Sequence, residues 1–144
     1  MSVNHYSIEV PLHGGLFHST CIMICKYICW KRGYKLKNPA GFASMHKSPG
    51  IPDIFISYQY KGKDDYGQTR TLEKSLCIEI ETNPTPAGNL KKAEQFTRPG
   101  VEEPIIIDMD KGFLDYKERQ ISKGKNLPND IEWIADYIES RLVL

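Results

Sequence analysis

Three carboxylates stand where acids are costly unless they have work to do. Glu79 and Glu81 lie two apart in Leu76-Cys-Ile-Glu-Ile-Glu-Thr82. A strand has a side-chain period of two, so both point to one face, opposite Ile78 and Ile80. Asp53 follows Pro52 and opens Asp53-Ile-Phe-Ile-Ser-Tyr-Gln-Tyr60, a β-branched and aromatic stretch that reads as a second strand. If the two strands pair, Asp53 lies across from the glutamates. Three buried acids would repel one another and lose hydration. A hard divalent cation such as Mg²⁺ or Mn²⁺ relieves that cost, takes oxygen ligands and brings substrate phosphate with it. Such an ion activates water and stabilises the charge of a phosphoryl transition state. The plainer alternative is an edge strand with Glu79 and Glu81 in solvent.

The elements that must position these residues follow from pattern. Residues 3–10 form a weak extended arm. Leu16–Arg32 is apolar nearly all round, as for a helix packed on more than one side, and stops at Lys31-Arg32-Gly33. Tyr34–Asn38 is a short strand, and Pro39–Pro52 a loop rich in Gly, Ser and Pro. Asp53–Tyr60 and Leu72–Thr82 form a hairpin around the polar turn Lys61–Gln68. Thr85-Pro86 starts a helix that runs to about Thr97, with Thr as N-cap and Pro at the first helical position. Glu103–Met109 contains Pro-Ile-Ile-Ile, a buried strand set parallel to its predecessor by the intervening helix. Asp110–Pro128 is polar and irregular. Asn129–Glu132 is a capping box for a closing helix that presents Ile131, Ile134, Ala135, Ile138 and Leu142 on one face.

Composition bounds the class. With 144 residues, 40% hydrophobic and 26% charged, residues 1–144 make one globular domain. No apolar run reaches the roughly 18–20 residues of a membrane span. Met1–Glu9 lacks the basic start and apolar core of a signal peptide, so the expected setting is cytoplasmic, or intracellular in the host of a virus or mobile element. Net charge is +1, but residues 1–50, 51–100 and 101–144 carry +5, 0 and −4, an asymmetry that can mark a basic binding face. Cys21, Cys25 and Cys29 recur every four residues without any CxxC pair, as a buried small-residue stripe would; with His18 they form a less natural metal set. Walker, GxGxxG, HExxH and GxSxG motifs are all missing, so no nucleotide cofactor is expected.

The stretches Gly50-Ile-Pro-Asp-Ile-Phe-Ile and Cys77-Ile-Glu-Ile-Glu-Thr, with the element order αβββαβ over residues 15–110, resemble the PD-(D/E)xK nuclease superfamily. Gly-Ile-Pro-Asp-Ile is most similar to archaeal Holliday-junction resolvases. The resemblance implies an α/β restriction-endonuclease-like core, a mixed central sheet flanked by helices, here with an additional C-terminal helix. It implies that Asp53, Glu79 and the Ile80 main-chain carbonyl bind Mg²⁺ or Mn²⁺, and that the chain is a DNA endonuclease acting as a homodimer. At this size, structure-directed cutting of branched or single-strand-containing DNA is expected rather than sequence-specific restriction.

Two departures stand out. Glu81 occupies the place of the family's lysine; it would bind metal or orient the attacking water, as in restriction enzymes with Glu-x-Glu there. Lys91 or Lys92 on the next helix would supply the missing charge, with Lys91 the first choice because it shares a face with Gln95, similar to a helix glutamine of some branches; both lysines also suit a solvated face. The first helix, in turn, holds no acid where relatives often have a glutamate. Glu9, His13 or His18 could fill that neighbourhood, although a lone histidine is more often structural. Substrate contacts would come from His46, Lys47, Ser48, Lys61, Lys63 and Arg70, with Gln95, and from the cluster Lys31, Arg32, Lys35 and Lys37, although each lysine singly suits ordinary surface. The alternative function is a nucleic-acid-binding or assembly module that keeps the fold without the chemistry.

Overall fold

A computed structural model describes residues 15–123 and 132–144. The order is α1 (Gly15–Lys31), β1 (Lys35–Lys37), α2 (Pro39–His46), β2 (Ile54–Lys63), β3 (Thr69–Glu81), α3 (Pro86–Phe96), β4 (Ile105–Asp108), α4 (Met109–Ser122) and α5 (Glu132–Arg141). One mixed sheet runs β1-β2-β3-β4, antiparallel except for the parallel β3–β4 pair. The parallel pair sets Ile80 against Ile107 and Glu81 against Asp108, as the α3 crossover requires. The protein is therefore α/β with a mixed sheet flanked by helices, consistent with a restriction-endonuclease-like arrangement.

Both faces of the sheet are covered at its β2–β3 centre. On one, Ile54, Ile56, Leu76, Ile78, Ile80 and Ile107 pack with Phe17, Cys21, Cys25 and Ile28 of α1 and Trp133, Ile134 and Ile138 of α5. On the other, Phe55 and Cys77 pack with Phe42 of α2, Phe96 of α3 and Val101. The period of two then dictates that Glu79 and Glu81, in phase with Cys77, lie on the α2/α3 side. Cys21, Cys25 and Cys29 are fully buried, which agrees with the packing stripe; burial pushes the Cys21 thiol up to about 12.

Several expectations need correction. The first eight residues of the expected Pro39–Pro52 loop form α2. Asn38 caps it by accepting from the Ala40 N–H at 3.0 Å, Pro39 takes the first helical position, and Lys47 ends it at φ 52°. The buried ring of Phe42, edge-on to Phe55 and Phe96, is its anchor. The hairpin strands run further than expected, through Lys61–Lys63 and from Thr69, and leave only Asp64–Gln68 as the turn. Asp110–Ser122, expected to be irregular, lies in α4. The Asp108 carboxylate accepts from the Lys111 N–H at 3.0 Å at its start, and Phe113 and Tyr116 pack on Trp133 at 5.5 Å. Gly112 permits the approach of α5, since a Cβ there would stand 2.5 Å from the Tyr137 ring. Finally, α1 is not packed all round: Leu16, Met23, Tyr27 and Trp30 are exposed. The arm at residues 3–10, Glu9, His13, residues 124–128 and most of the capping box, with Ile131, lie outside the described residues.

Candidate active site

The register of the hairpin builds the site. Ile54 pairs with Ile78 at the end of β2, so Asp53, one step further, stands opposite Glu79. The Asp53 N–H donates to Glu79 Oε2 at 3.1 Å, and the Ile80 N–H donates to Asp53 Oδ2 at 2.8 Å. The main chain thus holds both carboxylates against each other. Glu79 is only 3% exposed. Burial, then the hydrogen bond and charge of Asp53, push its carboxyl up to about 9, against the opposing pull of Lys92. The Glu79 carboxyl accordingly holds its proton more tightly than an exposed glutamate does.

Glu81 continues the same face and pairs with Lys92. The α3 N-terminus sets that geometry: the Thr85 hydroxyl accepts from the Gly88 N–H at 3.1 Å, Pro86 follows, and Lys92 falls on the inward side of the second turn. Burial works against the Lys92 charge, but the Glu81 hydrogen bond and the charges of Glu79, Glu81 and Asp53 outweigh it and raise its affinity for the proton. One ammonium therefore senses all three carboxylates. The preference for Lys91 is overturned: Lys91 is exposed, because adjacent helical positions diverge by about 100° and only one can face the acids.

His18 joins this group in space. From α1, its Nε2 lies 3.0 Å from the Ile80 carbonyl oxygen and 3.3 Å from Asp53 Oδ2. With two acceptors facing one ring nitrogen, the tautomer protonated on Nε2 donates to both, whereas the tautomer protonated on Nδ1 offers a lone pair there to a cation. The available signal was its position: the only histidine in a helix otherwise free of acids.

The remaining candidates sit apart from this centre or are already engaged. His46 packs on the Phe42 ring at 4.7 Å. Ser48 donates to the Gly50 carbonyl at 2.8 Å. Gln95 lies against Gly50, whose missing Cβ makes room for its amide, and so ties α3 to the segment before Asp53. Lys61 donates to the Thr71 hydroxyl at 2.7 Å, and Arg70 pairs with Asp64 inside the hairpin turn. Lys47 and Lys63 are exposed. Of the cluster after α1, Arg32 is spent on the end of α5, donating to the Glu139 carbonyl at 3.1 Å and to that of Leu142, and Lys37 lies over the Phe55 ring.

Among the described residues no group of three or more His, Cys, Asp or Glu side chains is arranged to hold a metal ion. What converges instead is a mixed donor set: the Asp53 carboxylate, the Ile80 main-chain carbonyl and the His18 imidazole, with Glu79 hydrogen-bonded behind Asp53. Its chemistry, two hard oxygens and one imidazole, fits a small divalent cation. The raised pKa of Glu79 fits as well, because added positive charge is what would let both acids ionise. Compared with family models, curated proteins and solved structures, the chain matches none.

Proposed function

We propose that this chain is a Mg²⁺- or Mn²⁺-dependent endodeoxyribonuclease of the PD-(D/E)xK type, cutting branched or single-strand-containing DNA. The observation that carries the reading is the convergence of Asp53, Glu79, the Ile80 carbonyl and His18 at one end of the β2–β3 pair, with Lys92 across from them. In this reading Asp53, the Ile80 carbonyl and Glu79 hold the ion, and His18 joins from α1 in place of the carboxylate the first helix lacks. When bound, the ion polarises the scissile phosphate and lowers the pKa of an attacking water. Glu81, held by Lys92, orients that water. Lys92 supplies the fixed positive charge that stabilises the transition state in place of the lysine that Glu81 displaces. Lys47 and Lys63 neutralise flanking phosphates.

Calorimetric titration with Mn²⁺ tests the reading without relying on turnover. Binding by the wild type, weakened at least tenfold by Glu79→Ala and by His18→Ala, is the expected outcome. Equal binding by all three proteins would remove both residues from the site, and no binding by the wild type would favour a nucleic-acid-binding module without catalysis.

A further inference from the structure

The outward face of α1 carries a stripe that neither the fold nor the candidate site uses. Leu16, Met23, Tyr27 and Trp30 are 63%, 70%, 58% and 65% exposed. Together with Thr20 they recur at steps of four, three, four and three residues. That spacing keeps them on one continuous face of the helix, the arrangement by which one helix can pack along another. The core-facing residues Phe17, Cys21, Cys25 and Ile28 point the opposite way. Thr20, the single polar member, has its hydroxyl bonded to the Leu16 carbonyl at 2.7 Å, so covering it strands no donor. The rings of Tyr27 and Trp30 already lie together, 6.0 Å between centroids.

We infer that this stripe is the interface with a second copy of the chain. Four such side chains offer on the order of 500 Å² of apolar surface per copy, so self-pairing buries about 1,000 Å², the threshold for a specific interface. The stripe is also self-complementary: its two bulkiest members, Tyr27 and Trp30, lie toward one end and the smaller Leu16 and Thr20 toward the other. Antiparallel stacking sets bulky against small at both ends, as an isologous two-fold contact requires. Full overlap of the stripe on itself centres on Met23, midway between Leu16 and Trp30, so Met23 then lies beside its own counterpart. DNA is the weaker occupant, since Lys26 and Lys31 only flank the stripe and His18 directs the candidate site to another side of the helix. The inference stands independently of the nuclease reading.

Light scattering and sedimentation on the full chain test it. The wild type should be a dimer at micromolar concentration. The double variant Met23→Glu, Trp30→Glu should associate at least a hundredfold more weakly, whereas Met45→Glu, an exposed methionine on α2, should leave the dimer intact. Met23→Cys should form a disulfide-linked dimer on mild oxidation, and the four native cysteines, free and buried, should not interfere. A monomeric wild type, a dimer that survives the double variant or is broken by Met45→Glu, or a Met23→Cys dimer that fails to cross-link would each overturn the inference.

Discussion

Glu79 and Lys92 divide the electrostatic work at the candidate site, and each gives a testable consequence. Burial beside Asp53 raises the Glu79 carboxyl from the ordinary 4.5 to about 9 on folding. Between those values the native chain keeps a proton that the unfolded chain releases, so folding stability falls as pH rises from about 4.5 to about 9. Glu79→Gln, which cannot ionise, should flatten that slope in EDTA and be the more stable protein at pH 8, as thermal denaturation across pH will report. A Glu79→Gln profile parallel to the wild type would place the titration elsewhere. Lys92 senses Asp53, Glu79 and Glu81 together. Lys92→Ala should lower the DNA cleavage rate about 10²-fold or more, the loss typical of one preorganised electrostatic contact. Lys91→Ala, on the exposed side of α3, should change it less than about threefold by the same measure. Equal losses would mean that α3 turns differently in the substrate complex.

The site depends on two helices for different reasons, and one of them could not be read from sequence. α3 is announced by Thr85-Pro86, whose chemistry is local, and the structure has that cap as expected. α2 lies in a stretch of Gly, Ser and Pro that suggests a loop. Its helix rests on the Asn38 cap and on one long-range contact, Phe42 between Phe55 and Phe96, which no local pattern displays. Phe42→Ala should therefore cost about 3–5 kcal/mol in denaturant unfolding, far more than an exposed loop residue would. A loss below about 1 kcal/mol would show that α2 contributes little to the α2/α3 layer. α4 is hidden for the same reason: its inward residues Phe113 and Tyr116 are few among charged neighbours, and the ring that covers them, Trp133, comes from α5. The strands were plainer, because β-branched runs and the period of two depend only on near neighbours.

At the scale of the whole molecule, topology brings distant residues together. Sheet order and the hairpin register place Asp53 opposite Glu79, and the parallel β3–β4 pair follows from the α3 crossover; both were legible in the sequence. The His18 contacts were not, because they depend on where α1 crosses the sheet: His18 and Ile80 meet only after folding, 62 positions apart in the chain. The choice between Lys91 and Lys92 likewise depends on the rotation of α3 about its axis, which a Lys-Lys pair leaves open. The central claim is that this assembled centre hydrolyses phosphodiester bonds. The most direct measurement is the cleavage of branched and single-strand-containing DNA by purified wild type and Asp53→Asn in Mg²⁺ or Mn²⁺, with the fold of each protein checked by circular dichroism. Metal-dependent cutting by the wild type, lost in Asp53→Asn, is the expected result; no cutting of any DNA by the folded wild type, or equal cutting by both proteins, would contradict it.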